Sequence, residues 1–379
     1  MIAESKFNLG IIVGDTYSHF LSLDHYVNHF LMPFSPRFRN IDFSIASLAK
    51  IGIKEFFVFT EKDKAVIAGY LAKEWPGLHF EVFDVIDIKS EFVEYFNEFA
   101  SHFKIEMIAV IQGDYPVWFD MVPMLKEIEK MKNGTFSVDF ERSLIYPCIF
   151  VNRDKFKKHL HDLVRISNPD FGINQWVKEA HLKSLKLKNG YFIPQKNLKQ
   201  YYKSHLGMIK DYTALDDYFC NVPITKEIKG SAVANLMRRS NVKNSVVGEN
   251  VEINGKVENS VIFSGVKVQN GAYIKNSLVL PGNHIGHNVT IVNSIIDEFS
   301  GDNTLPNIDK NCTIGNEKPS EINRDFPEIL NFGVTLVGKD VNIPSNTKIG
   351  GNCYIESFVT SSRIRSERGG VADGGSILL

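Results

Sequence analysis

The residues able to handle phosphate gather where short apolar runs end. Leu9-Gly10-Ile11-Ile12-Val13 reads as a buried strand, and Gly14 follows it. A loop that cradles phosphate needs several glycines, so that backbone N–H groups approach the anion, and usually a cation beside them. Here Asp15, Thr16, Tyr17, Ser18 and His19 come next, and the first Lys or Arg after Gly14 is Arg37. A second apolar run, Met107–Gln112, ends in Gly113-Asp114. That pair can bring a carboxylate to a magnesium ion, or simply close a strand with an Asp-capped turn. Arg37 and Arg39 can grip a nucleotide or effector phosphate; the plainer reading is one surface arginine and one paired with Asp42. His25 and His29 are four residues apart with His19 nearby, the spacing of a metal pair on a helix. With no Cys or acid at ligand spacing to complete a site, a packed or solvated loop is the competing reading. Arg238 and Arg239 can meet an anion or be solvated linker charge. His284 and His287, in "HIGHNVTI", can serve as acid–base groups for acyl transfer, or be ordinary packed residues of their segment.

The elements that must position these groups fall into two kinds. Up to about residue 228, strand-like runs at Leu9–Val13, Glu55–Thr60, His79–Phe83 and Met107–Gln112 alternate with helical stretches at Phe43–Ala49, Asp63–Lys73, Glu91–Phe103 and Met121–Met131. Such alternation predicts βαβ units and a Rossmann-like, mostly parallel sheet. Ligands sit beyond the carboxyl ends of such strands, which is where Gly14 and Gly113-Asp114 fall.

From 229 to 379 the pattern changes. "VKNSVV", "VENSVI", "IKNSLV" and "VNSII" line up, their Asn-Ser pairs beginning at Asn244, Asn259, Asn276 and Asn293, a period of 15 to 17 residues. Aliphatics recur about every six residues within each period, which predicts a hexapeptide β-helix rather than a sandwich. Asn and Gly suit its corners because they tolerate positive φ. Gly315–Gly333 breaks the pattern and reads as an inserted loop, and the Gly/Ser/Arg-rich segment from Ser361 as a loose tail.

The formal charge of −1 gives no support to general nucleic-acid or membrane-surface binding. No uncharged stretch is long enough to span a bilayer, and no basic-then-apolar leader opens the chain. The four cysteines, Cys148, Cys220, Cys312 and Cys353, form no CxxC, which fits buried thiols in a reduced, cytoplasmic setting.

Several stretches resemble the ADP-glucose pyrophosphorylase (glucose-1-phosphate adenylyltransferase) family. "MPFSPRFRNIDFSIASLAKIGIKEFFVFT", "IQGDY", "NPDFGINQWV", "GYFIPQKNLKQYYKSHLGMI" and the β-helix segment "NSVVGENVEINGKVENSVIFSGVKVQNGAYIKNSLVL" are similar to that family's PFGGKYRLIDFPLSN, AGDHIY, DFGxDxIP, GYWxDVGT and coil segments. The resemblance implies a nucleotidyltransferase-like α/β domain at 1–228, shortened and degenerate, followed by a left-handed β-helix at 229–379. Within the family the chain is most similar to the GlgD-type regulatory subunit. The resemblance also implies which parts are missing. The glycine-rich cradle is reduced, and His29 stands at the family's RxKP lysine. Asp114 matches the magnesium Asp of GDH, Pro194 stands at the second magnesium Asp, and the EKP lysine has no match. Too few residues separate Asp114 from Cys148 for the family's sugar-phosphate floor.

A proline cannot ligate a metal, and a neutral His is a poor replacement for a permanent cation. The expectation is therefore a GlgD-like, non-catalytic partner of a GlgC-type catalytic subunit in ADP-glucose and glycogen synthesis, as a homo- or hetero-oligomer. Asp114 would be vestigial, and magnesium would matter only where nucleotide binding survives. Gly14, Gly113, Arg37 and Arg39 remain candidates for a residual nucleotide or a phosphorylated effector. The alternatives are a working nucleotidyltransferase that uses Asp114, and a purely structural hexapeptide oligomer.

Overall fold

The computed structural model describes residues 7–14, 20–25, 27–84, 90–119, 135–140, 148–158, 173, 176–177, 182–187, 190–193, 195–210, 235–237, 240–302, 304–367 and 370–379. The Met121–Met131 helix, the 228/229 boundary, Asp15–His19, Pro194, Cys220 and Arg238-Arg239 lie outside the described residues.

Phe7–Val13, Glu55–Thr60 and Met107–Gln112 are nearly continuous apolar runs, as strands covered on both faces must be. They form the middle of a seven-stranded sheet. Its order is Lys183–Leu187, Phe136–Phe140, Cys148–Asn152, Met107–Gln112, Phe7–Val13, Glu55–Thr60, His79–Asp84. Phe7–Val13 runs parallel to both of its neighbours, so their carboxyl ends lie side by side. Cys148–Asn152 is antiparallel to the strands on either side of it, which makes the sheet mixed but mostly parallel.

Alternate residues feed opposite layers. Ile12, Val58 and Ile111 face the Asn40–Ala49 helix, every residue of which is buried. Ile11, Phe57 and Val110 face Phe92, Phe96 and Phe99 on the Ser90–His102 helix. The three helices expected here and described are all present, at Asn40–Ala49, Lys64–Glu74 and Ser90–His102.

The second half is a stack of parallel two- and three-residue strands in three sheets, of four, seven and seven strands. The third column, in the order in which the chain meets the three sheets, runs Val246–Val247, Val261–Ile262, Leu278–Val279, Ser294–Ile296, Thr335–Val337, Tyr354–Ile355, Ser376–Ile377. Every pairing within the three sheets is parallel, the mark of a hexapeptide β-helix. Its lumen is filled by stacked aliphatics such as Val257, Ile274, Ile291, Ile314 and Ile349.

The Asn-Ser repeat has a physical cause. Asn244, Asn259, Asn276 and Asn293 all adopt the left-handed conformation, with φ of 43°, 45°, 49° and 46°. A short polar side chain tolerates that region best after glycine. Each asparagine then donates through Nδ2 to the next one's Oδ1, at 2.9, 2.7 and 3.1 Å. Beside this ladder, Oγ of Ser245, Ser260 and Ser277 accepts from the N–H of the serine one coil on.

Gly315–Gly333 is an insertion between Thr313–Ile314 and Thr335–Val337, as the broken repeat indicated. The segment read as a loose tail differs from that expectation. Gly370–Val371 and Ser376–Ile377 pair onto the coil before them, and the Ser361–Ser366 helix inserts Ile364 into the lumen. Glycine-rich composition signals corners here, not disorder, because each corner needs positive φ or close approach.

The two halves share a core. The outward face of the third column carries Val246, Val261, Leu278, Ile295, Leu336 and Tyr354, which pack with Leu198, Tyr201 and Tyr202 of the Leu198–Met208 helix, with Phe20 and Met32, and with Leu330 of the insertion. Asn197 caps that helix by accepting from the Gln200 N–H at 2.9 Å.

Candidate functional site

The carboxyl ends of Phe7–Val13 and Met107–Gln112 meet at Gly14 and Gly113, joined by the Gly113 N–H donating to the Val13 carbonyl at 2.8 Å. This is where an open α/β sheet binds ligands. The space is taken by a side chain. A Cβ on Gly14 would stand 2.6 Å from the Phe30 ring, and one on Gly113 would stand 3.1 Å from the same ring and 2.3 Å from Ile12. Phe30 is 3 % exposed and belongs to the sheet core. The two glycines therefore admit an aromatic ring, whatever else they once admitted.

Phe30 lies in a short His29–Leu31 3-10 turn started by Asn28, whose Oδ1 accepts from the Phe30 N–H at 2.9 Å. Asn28 is itself anchored to the end of the next strand, donating to Thr60 Oγ1 at 3.0 Å and to the Lys62 carbonyl at 3.2 Å. From the other side Asn40 donates to the His29 carbonyl at 3.0 Å and the Asp114 carbonyl at 2.8 Å. Sequence reasoning did not single out Phe30, Asn28 or Asn40. The available signal was an aromatic residue next to His29, which the resemblance sets opposite the family's lysine.

Asp114 lies at this strand end, 2 % exposed. Among the described residues no group of three or more His, Cys, Asp or Glu could hold a metal ion.

His29 is committed to Asp24, with Nε2 3.3 Å from Oδ2, and packs edge-on against Phe20. His25 is exposed on the preceding turn. Lys62 donates to the Asp24 carbonyl at 3.0 Å.

Arg37 and Arg39 come together between the halves, each on a glutamate of the β-helix. Arg37 Nε donates to Glu249 Oε1 at 2.6 Å, and its Nη2 engages the same oxygen. Arg39 Nη1 donates to Glu298 Oε1 at 2.8 Å and to the Leu31 carbonyl at 2.7 Å. The Arg39 backbone N–H donates to Asp42 Oδ2, which starts the Asn40–Ala49 helix. Asp42 is fully buried and also accepts from Tyr70 Oη and Trp75 Nε1, so it organises the fold rather than a ligand. Burial, then the negative charge of Asp42, pushes the Tyr70 hydroxyl well above the ordinary tyrosine range.

His284 is a buried coil residue whose Nε2 lies 2.8 Å from Gln269 Nε2, and His287 is exposed on the next corner. Neither lies at the sheet's strand ends.

The class of molecule is now defined: a mixed, mostly parallel α/β sheet joined through a shared core to a C-terminal hexapeptide β-helix. Residues 231–337 match the family model for the GlmU-like C-terminal hexapeptide. The glucose-1-phosphate adenylyltransferase of Acetivibrio thermocellus is 29 % identical over 205 residues, covering 52 % of this chain and 45 % of that protein. That of Fervidobacterium nodosum is 32 % identical over 166 residues, covering 44 % of this chain and 38 % of that protein. The glycogen biosynthesis protein GlgD of Bacillus subtilis is 21 % identical over 296 residues, covering 70 % of this chain and 82 % of that protein. The matched stretch thus spans less than half the length of the first two relatives. The chain is thus similar, at low identity, to glucose-1-phosphate adenylyltransferases and to a GlgD protein.

Proposed function

We propose that the chain is a GlgD-like, non-catalytic subunit in glycogen biosynthesis, which assembles with a catalytic glucose-1-phosphate adenylyltransferase and tunes it. One observation carries this reading: the crevice at the strand ends is filled by Phe30, while Arg37 and Arg39 are held by glutamates of the β-helix. Adenylyl transfer needs positive charge on the reacting phosphates and a carboxylate-bound metal. The strand ends offer Asp114, and His29 is turned to Asp24. The long match to a GlgD protein supports the same reading, at lower identity than the matches to the enzymes.

A subunit of this kind acts by differential contact. Its interface stabilises one conformation of the catalytic partner, and a phosphorylated effector that favours one state shifts the balance. The test is pyrophosphate release from ATP, glucose-1-phosphate and magnesium, with the chain alone and then mixed with the catalytic subunit from the same cell. No turnover alone, with a changed rate or effector response in the mixture, is the expected result. Turnover by the chain alone that Asp114→Asn abolishes would establish the enzyme reading instead. A chain that neither turns over nor binds the catalytic subunit would be a structural hexapeptide oligomer.

A further inference from the structure

We infer that the chain pairs with a second copy of itself through the outer edge of the His79–Asp84 strand, so that the two sheets join into one. His79–Asp84 is the end strand of the seven and pairs on one side, with Glu55–Thr60. The His79 N–H donates to the Lys54 carbonyl at 2.9 Å, and the pairing runs in unbroken register to Asp84. In a parallel pair, only alternate residues turn their N–H and C=O towards the neighbouring strand. Those are His79, Glu81 and Phe83, so Phe80 and Val82 present theirs outward. Among the described residues, none hydrogen-bonds to the outward groups of Phe80 and Val82. Open edges are commonly guarded by lysine, proline or a bulge. The opposite edge of this sheet, Lys183–Leu187, carries exposed Lys183 and Lys186. His79–Asp84 reads HFEVFD and has none of these guards.

The helix beside this edge fits a copy of itself. Lys64–Glu74 buries only Ile67 and Leu71, which share a core with Val58 and Val82, so the helix lies over the last two strands. Tyr70 Oη donates to Asp42 of the Asn40–Ala49 helix, so the Tyr70 flank faces the middle of the sheet. At about 100° per residue, Ala65, Ala68 and Ala72 lie about 140–160° round from Tyr70, on the flank that faces the edge. All three are exposed, and a Cβ on Gly69 beside them would have nothing within 4 Å. An antiparallel dyad at Val82 sets Val82 of one copy opposite Val82 of the other, each N–H donating to the other's carbonyl. Strands about 4.8 Å apart then place the two helices about 9.6 Å apart. That is the ordinary contact distance of packed helices, and it needs small residues on the facing flanks. A strand of six residues is about 20 Å long, and helices about 10 Å thick cover both sides of the sheet, so the edge wall is on the order of 600 Å². A standard dimer buries roughly 800 Å² a side, so the wall suits a reversible one. Such an edge needs no catalytic subunit.

The test is sedimentation velocity of the full chain across a dilution series, with hydrogen exchange read at the Phe80 and Val82 amides. The expected result is a reversible dimer in which both amides exchange at least about tenfold more slowly than in the dilute monomer. Val82→Pro removes an outward N–H and leaves the ladder to Glu55–Thr60 intact, and Ala68→Arg crowds the exposed helix flank. Each should raise the dissociation constant at least about tenfold, while Val66→Lys, exposed on the other flank of the same helix, should change nothing. Ala68→Arg with an unchanged circular dichroism spectrum separates a lost contact from a lost fold. A monomer at every concentration overturns the inference. So does a dimer whose Phe80 and Val82 amides exchange as fast as in the monomer, since the copies would then meet elsewhere. Slow exchange at both amides in the dilute monomer overturns it too, because the chain would then cover its own edge. Protection that appears only on adding a catalytic subunit would overturn it by giving the edge a different occupant.

Discussion

Two buried ionisable side chains at the junction set how the chain responds to pH. His205 is packed among Phe34, Tyr201 and Phe263, with Nδ1 donating to the Tyr201 carbonyl at 2.8 Å. Burial lowers its pKa from 6.5 to about 4. The unfolded chain therefore takes up a proton that the folded chain refuses. The stability present above pH 6.5 falls as the pH drops towards 4, by about 3 kcal/mol in all. Urea midpoints measured from pH 7 to pH 4 should show this slope, and His205→Phe should flatten it. Asp297 has the opposite character. Burial, then the neighbouring Glu298 charge, pushes its carboxyl well above the usual range. Its penalty is absent at low pH and grows as the pH rises through the ordinary carboxylate range. Asp297→Asn keeps an acceptor for the Glu298 N–H, which now donates to Oδ1 at 2.7 Å, and removes the charge. It should raise stability at pH 7 by about 1 kcal/mol or more, read as a higher urea midpoint at unchanged slope.

At the scale of elements, the coil corners are the most legible part of the sequence, and they carry the firmest expectation. Asn259 serves the left-handed corner and both ladder bonds at once. Asn259→Ala should cost about 2–3 kcal/mol, and Asn259→Gly, which keeps the backbone but loses the ladder, about 1 kcal/mol. The inserted loop is held differently. Asp373 accepts from the Gly351 N–H at 2.7 Å, the Ser320 N–H at 2.9 Å and Asn316 Nδ2 at 3.1 Å. Asp373→Ala should expose residues 316–325 to limited proteolysis while the coils resist. The β-helix could be read from sequence because each rung repeats one local solution, so its Asn, Ser and aliphatic positions recur. The parallel strands were legible because both of their faces are apolar. The antiparallel Cys148–Asn152 strand was not, since its apolar run has no directional mark. Phe30 escaped notice for a related reason: an aromatic residue after His29 looks like core, and core is what it is, but at a place where a ligand would otherwise lie. The pairing of Arg37 and Arg39 was hidden because their partners are over 200 residues away. The last coil was misread because its glycines serve corners.

For the whole molecule, the junction is a shared apolar core crossed by polar ties. Tyr202 Oη donates to the Asn276 carbonyl at 2.5 Å, Ser264 Oγ to the Pro36 carbonyl at 2.9 Å, and the two arginines complete the seam. A chain built this way should respond as one body. Arg37→Ala combined with Glu298→Ala should leave the secondary structure seen by circular dichroism unchanged, yet reduce the effect of the chain on a catalytic partner's rate in the mixed assay.

The seam also gives the β-helix the character of a ruler. Contacts to the first half fall on separate rungs, Glu249 after the first strand of the third column, Ser264 after the second and Glu298 after the fourth. Rungs are about 4.8 Å apart, so the two glutamates that read Arg37 and Arg39 are about 14 Å apart along the stack. Removing one whole coil would keep every inward aliphatic stacked on another and leave the solenoid sound. It would bring the wrong rung opposite Arg39. Length counted in coils, more than any single side chain, fixes which groups of the two halves can meet.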